Sequence, residues 1–430
     1  MKMHRLIGMI TALVLTANLV ACSRKNESTG DKDAPSGQIV LKWNEIAYEA
    51  FGGTSYQHSL MASRINAMVQ IAMHDAVNAV RPRYEKYAFN GSDPLADPVV
   101  AAASAAYHVL LSETPTKKAM LDSALSATLA SVEESDAKIR GMQLGQQAAN
   151  AILQDRMEDG SAGEVVGEIP VTTVAGVYQP VPPFNFLFAP FWENMKLFAL
   201  ETKSQFRCTP HPELTSNAYS QAFNEVKDYG KKQSTVRTAD QTAYAKFWYE
   251  FSEAGWNRVA RIVAQNKNLD IFETARLLAL VDMAMADAYT AGWDSKIHYN
   301  FWRPYTAIRK AASDNNDQTS EDAEWEPSEP TPPVQDYPST HSALGNAAAT
   351  VLAEVLGDNT SFTMTSPTAV PGGSARSFTS FSQAADENAD SRVMAGIHFR
   401  FACEAGQDIG NKIGRFVVQK KLRPLKQLPH

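Results

Sequence analysis

Cysteine is scarce in this chain, three residues in 430, and neither a paired C-x-x-C nor an H-E-x-x-H run occurs. Those absences leave no zinc signature. Basic blocks are missing as well. The formal net charge is -7 and the pI near 5.8, the wrong sign for a nucleic-acid footprint. Past the N-terminal leader no stretch is apolar enough to cross a bilayer. No internal repeat or low-complexity tract marks the body of the chain. Apolar residues, by contrast, are plentiful. At 44% of 430 positions they suffice for a large core, and the length fits about two or three domains.

The leader has its own logic. Lys2, His4 and Arg5 form a basic start, and "LIGMITALVLTANLV" is an apolar run shorter than a spanning helix needs. It ends in "LVAC", Leu19 to Cys22, which resembles a bacterial lipobox. The expectation is a signal peptide over 1–21, lipidation of Cys22, and a polar tether over 22–38. Ser23 is not the aspartate that retains lipoproteins at the inner membrane, so the expected address is exported and outer-membrane anchored. Contact with membrane is expected only through that anchor. Cys208 and Cys403 remain, and an exported compartment permits a bridge between them, although two separate buried thiols are the simpler expectation.

The body reads as all-α, with minor β content. "SLMASRINAMVQIAMHDAVNAV" places Ile65, Met68, Ile71, Ala72 and Ala76 at helical spacing. His74 and Asp75 lie within that apolar helix and read as core polar packing. Asp97-Pro98 opens a second helix, and two more follow. The expectation is an N-terminal helical bundle over 39–183 beside a C-terminal helical bundle over 184–430. A long acidic connection from Ala311 to Tyr337 has the length of a functional loop.

Three short stretches carry unusual polar residues. "KIHYNFWRP" holds Lys296 and Arg303, seven apart, so a continuing helix would present both cations on one face until Pro304 ends it. "PSTH" offers Ser339 or Thr340 as the N-cap before a run of small helix formers, with His341 just after. "SRVMAGIHFRFACEAG" holds Arg392 and His398, with Gly396 between them as a place to break the helix. Each alone has an ordinary explanation, a solvated stripe or a capped helix.

Together, Lys-x6-Arg-Pro, Pro-Ser-x-His and Ser-Arg-x5-His resemble the three-part signature of the type 2 phosphatidic acid phosphatase and vanadium haloperoxidase superfamily. "RTADQTAYAKFW", "NFWRPYTAIR" and "TPPVQDYPSTHS" look like stretches of its bacterial haloperoxidase-like members. The resemblance runs from Trp43 to the C-terminus and is strongest from Arg237 to Gly410. Two departures stand out. Thr340 replaces the usual glycine, and Ala402 stands where many members carry an aspartate that orients the second histidine. Asp240, Asp294, Glu404 and Asp408 are the substitutes that sequence offers.

The resemblance implies an oxyanion site in the C-terminal bundle. Lys296, Arg303 and Arg392, with the Ser339 hydroxyl and the Thr340 N–H, would hold the oxyanion's oxygens at a helix start. His341 would serve as acid/base. His398 would ligate the vanadium of vanadate or, with a phosphate ester, act as nucleophile. The implied cofactor is vanadate, with phosphate able to occupy its place and neither zinc nor haem involved. The implied reaction is halide oxidation by hydrogen peroxide. A phosphoesterase working through a phosphohistidine and a non-catalytic oxyanion-binding lipoprotein are the alternatives. The long helical N-terminal half favours the peroxidase, because soluble acid phosphatases of this superfamily are much shorter. Trp293 and His298, near Lys296, are candidate pocket residues. Nothing in the sequence sets an oligomeric state.

Overall fold

The structure, a computed structural model, describes residues 34–53 and 58–426. The leader, Cys22 and most of the tether lie outside the described residues. Five helices come first: α1 Gln38–Phe51, α2 Ser59–Val80, α3 Pro98–Glu113, α4 Lys118–Ala130 and α5 Asp136–Asp155. A connection follows in which β1 Val166–Gly167 pairs with β2 Leu187–Phe188. Then come α6 Asn217–Tyr229, α7 Ala239–Phe247, α8 Ser252–Asn266, α9 Ile271–Tyr299, α10 Pro304–Arg309 and α11 Thr340–Leu356. A hairpin of β3 Phe362–Thr365 and β4 Ala375–Phe378 precedes α12 Phe381–Met394 and α13 Arg400–Lys420. The class is all-α with minor β content. Among the described residues no helix is long and apolar enough to cross a membrane.

Helix α9 is the axis of the molecule. Asp270 accepts from the backbone N–H groups of Phe272 and Glu273, and Glu273 returns the bond to the Asp270 N–H, a capping box that fixes where the helix starts. Its side chains from Thr274 to Lys296 are buried almost without interruption, as expected of a helix packed on all sides. One side meets α2 of the N-terminal group and another meets α11 and α13 of the C-terminal group. The apolar side chains of both groups form one connected core.

Two features of this packing position the start of α11. On α13, Gly406, Gly410 and Gly414 recur every four residues. A Cβ at these positions would come within 2.4, 2.3 and 2.7 Å of the carbonyl oxygens of Ser339, Ala343 and Ala347. Only glycine lets the two backbones lie this close. In addition, the Ser339 N–H donates to the Ala402 carbonyl at 2.8 Å. The small residues of α11 and α13 are therefore selected by contact between helices as much as by helix propensity.

A buried polar junction joins α1, α8 and α9. Asn257 Nδ2 donates to Asp282 Oδ1 at 2.6 Å, Asn44 donates to Asn257 at 2.7 Å, and the Tyr289 hydroxyl donates to Glu253 at 3.1 Å. Burial pushes the Glu253 carboxyl up to about 8 and Asp282 up to about 7. Folded Glu253 thus keeps a proton that an unfolded glutamate loses near pH 4.3, and stability falls as pH rises from about 4 to 8. Glu253→Gln preserves an acceptor for Tyr289 and has no charge to bury. Its melting temperature is expected to drop less than that of the unmodified protein between pH 5 and 8, read by calorimetry. Equal drops would show that Glu253 is ionised in the fold.

His74 and Asp75 are core residues, as expected. Asp75 accepts from the N–H groups of Tyr87, Ala88 and Phe89, and His74 bonds the Glu85 carbonyl. Cys208 and Cys403 are separate buried thiols.

Candidate active site

Three segments converge at the N-terminus of α11. Lys296 comes from the last turn of α9. That helix stops at Tyr299 because Asn300 turns left-handed at φ 44°, so Arg303 does not ride on it as the seven-residue spacing suggests. Arg303 instead occupies an extended N-cap position ahead of Pro304 and α10. The loop turn, not a shared helix face, brings the two cations together. In the third segment α12 ends at Met394 and Gly396 adopts φ 79°, so that Arg392 and His398 approach from either side of the expected break.

All three cations are buried, with about 1% of their surface exposed. The Lys296 ammonium donates to the carbonyls of Gln335, Asp336 and Pro338 at 2.6, 3.2 and 2.7 Å. What it offers the site is its charge. Arg303 donates from Nε to the Val334 carbonyl and from Nη1 to the Ile397 carbonyl, both at 2.7 Å. Arg392 donates to the Trp248 carbonyl at 3.2 Å and lies over the Tyr249 ring, but its Nε has no partner among the described residues. Burial pulls the Arg392 guanidinium down to about 10. Burial and then Arg303 pull Lys296 well below the usual ammonium range. Three cations sharing one dry space need an anion to balance them.

Ser339 caps α11, its Oγ accepting from the Ser342 hydroxyl at 3.0 Å. Thr340 is the first helical residue, so its N–H is one of those the helix itself leaves unpaired. The two imidazoles face the same charges. Burial, then Arg392, Arg303 and Lys296, hold His341 well below its ordinary pKa. Burial, then Arg303, Lys296, Arg392 and His341, do the same to His398. Both rings are therefore neutral, and their partners fix the tautomers. His341 Nε2 lies 3.0 Å from the Glu250 carbonyl, which can only accept, so Nε2 carries the proton and Nδ1 is the base. Arg303 Nη1, which can only donate, lies 3.0 Å from His398 Nε2 and 3.4 Å from Nδ1, and Asp336 Oδ1 lies 2.9 Å from Nδ1. The shorter arginine contact and the carboxylate together leave the lone pair on Nε2.

His398 also has a carboxylate partner, and it is not one of those suggested by sequence. Asp336 Oδ1 lies 2.9 Å from His398 Nδ1 and 3.7 Å from Arg303 Nη1, with its side chain fully buried. The His398 contact is a close approach to a neutral ring and not an aligned hydrogen bond, since neither Asp336 oxygen has a hydrogen-bond partner among the described residues. Burial pushes Asp336 up to about 7, and burial with the three cations holds His398 down, so neither group gains a full charge from the other. The four expected substitutes are engaged elsewhere or exposed. Asp240 pairs with Arg376, Asp294 with Arg207, Asp408 with Lys412, and Glu404 faces solvent. Asp336 sits two residues before Pro338 in the quoted "QDYPSTH". No spacing rule connects it to His398, because the contact is made across the fold. Asp336→Asn is expected to weaken oxyanion binding by about 10–100-fold, the usual cost of losing a group that orients a metal-binding histidine. Titration calorimetry with orthovanadate checks this, and an unchanged affinity would remove the orienting role.

The two expected pocket residues are placed differently from one another. Trp293 is core, packed edge-on to Tyr289 with its indole N–H 3.4 Å from the Phe188 carbonyl. His298 is exposed and lies 3.3 Å from Arg207, on the outer side of α9.

The fold and the site together define an all-α protein with a cradle of three buried cations and two neutral histidines at one helix N-terminus. A family model for the VCPO second helical-bundle domain matches residues 276–427, which contain every residue of the cradle. Vanadium chloroperoxidase of Curvularia inaequalis is 28% identical over 300 aligned residues, covering 54% of this chain and 48% of that protein. The chain thus spans about half the length of that relative. A solved structure described as the first bacterial vanadium-dependent iodoperoxidase superposes with a TM-score of 0.79 at 29% identity, covering 91% of this chain and 97% of that one. A bacterial vanadium-dependent chloroperoxidase shares the fold with a TM-score of 0.72 at 17% identity. The chain is thus similar to vanadium haloperoxidases, most closely matched in its second helical bundle, and shares their fold.

Proposed function

We propose that this protein is a vanadate-dependent haloperoxidase that oxidises halide with hydrogen peroxide. The observation that carries the proposal is the buried triad of Lys296, Arg303 and Arg392 around two neutral imidazoles, one of them paired with Asp336. The donor set fits vanadate. His398 Nε2 would hold the vanadium, Arg303, Arg392, Ser339 and Thr340 would hold its oxygens, and Lys296 would add charge. When bound, vanadate supplies the Lewis acid that activates peroxide toward halide. The chain's own contribution is electrostatic and protonic. The three cations stabilise negative charge in a dry site, where each pair is worth roughly 4 kcal/mol at 4 Å and an effective dielectric of about 20, before desolvation costs. His341 Nδ1 accepts and returns the proton that peroxide must lose, and the Glu250 carbonyl keeps its Nε2–H turned away. Asp336 holds the His398 ring so that Nε2 faces the cations.

A paired assay on the purified protein tests the proposal. Bromide and iodide oxidation by peroxide should require added orthovanadate. Hydrolysis of p-nitrophenyl phosphate without vanadate should be slow by comparison. Hydrolysis in the absence of any halide oxidation would favour the phosphoesterase.

We also propose that the protein is exported and held by lipid on Cys22, on the strength of the "LVAC" leader. Cys22→Ser is expected to release it from membranes or to block its processing. Unchanged maturation and membrane retention would remove the anchor.

A further inference from the structure

The connection between the two helical groups runs beside the stretch that carries Arg303, and no motif marks it. The segment Gly176–Tyr178 docks along the turn after α9. Val177 bridges to Phe301, the Tyr178 N–H donates to the Asn300 carbonyl at 2.8 Å, and the Trp302 N–H donates to the Gly176 carbonyl at 2.9 Å. This places Tyr178 beside the stretch that carries Arg303. Tyr178 lines a cavity of about 240 Å³ together with Leu187, Asn300 and Gln335, whose carbonyl holds the Lys296 ammonium. The ring is 97% buried by its 3% exposure, and the hydroxyl has no partner among the described residues. A buried phenol normally finds an acceptor. Burial pushes this one up to about 12, while the Arg303 charge acts in the opposite direction, so the phenol stays protonated and stands within electrostatic reach of the cradle.

We propose that Tyr178 is an anion-binding residue of this site, its phenolic O–H donating to the oxyanion seated on Arg303. The inference rests on the oxyanion reading above and extends it to the connection outside the three motifs. No covalent step is involved. The hydroxyl gives a hydrogen bond to an anion instead of remaining unpaired.

Tyr178→Phe removes that donor and nothing else. Because the hydroxyl has no protein partner, the variant should fold, and the melting temperature of the ligand-free protein should be unchanged. The dissociation constants of orthovanadate and of inorganic phosphate, measured on the full chain by titration calorimetry, should each rise by about 10-fold or more, the value of a hydrogen bond to a charged group. The gain in melting temperature on adding either anion should shrink in parallel. Binding within twofold of the unmodified protein would overturn the role of Tyr178 and leave the oxyanion site standing. If the unmodified protein binds neither anion, the oxyanion site falls and this inference with it. A variant that melts lower without ligand would show that the hydroxyl serves the fold, which also overturns the assignment.

Discussion

His398→Ala is expected to abolish orthovanadate binding, raising the dissociation constant by more than about 100-fold. Loss of a group that merely orients such a histidine costs about 10–100-fold, and loss of the ligand itself should exceed that. The geometry explains why no neighbour can replace it. His398 Nε2 is a nitrogen lone pair facing the cations, and His341 keeps its own Nε2 on the Glu250 carbonyl. Arg303, Arg392 and Lys296 have no lone pair to give. Removing the ring also frees Asp336, which stands 3.7 Å from Arg303 and would take over part of its charge. The anion then competes with a carboxylate for the same guanidinium. Calorimetric titration reads the loss. Vanadate binding within tenfold of the unmodified protein would show that the ligand assignment is wrong.

His341→Ala is expected to separate binding from turnover. Orthovanadate should bind nearly as before, because Arg303, Arg392, Ser339 and Thr340 are untouched. Halide oxidation should fall by about 10²–10⁴-fold, the usual contribution of a positioned general acid or base. The reason lies in the tautomer. With Nε2–H committed to a carbonyl, Nδ1 is a neutral base in a space where three cations and burial keep it unprotonated. Steady-state kinetics at saturating vanadate give the comparison. A variant that loses vanadate affinity and activity together would make His341 part of the cradle, not the proton carrier.

Much of this site was legible in the sequence because its residues are tied to local backbone events. Ser339 and Thr340 read as a helix start since capping chemistry is local, and α11 does begin at Thr340. Gly396 read as a break because a left-handed turn favours glycine, and it carries φ 79°. The relation of Lys296 to Arg303 was read wrongly for a physical reason. Periodicity assumes that the helix continues, whereas Asn300 ends it four residues after Lys296. Asp336 and Tyr178 were not legible. Asp336 meets His398 across 62 positions, and Tyr178 is brought beside the stretch that carries Arg303 from 125 positions away, which no spacing rule encodes. His298 is two residues from Lys296, and residues two apart on a helix face different directions. Trp293 is three residues away and shares the face of Lys296, but its ring packs against Tyr289 and Phe188. Trp293 turned into the core and His298 toward solvent.

The measurement that bears most directly on the central claim is a crystal structure of the protein soaked with orthovanadate, with anomalous scattering used to place the vanadium. The account expects one vanadium, bonded to His398 Nε2, with its oxygens reached by Arg303, Arg392 and the N-terminus of α11 and with His341 Nδ1 facing it from the other side. Vanadium bound at any other place, or held in this cradle without a bond to His398, would contradict it.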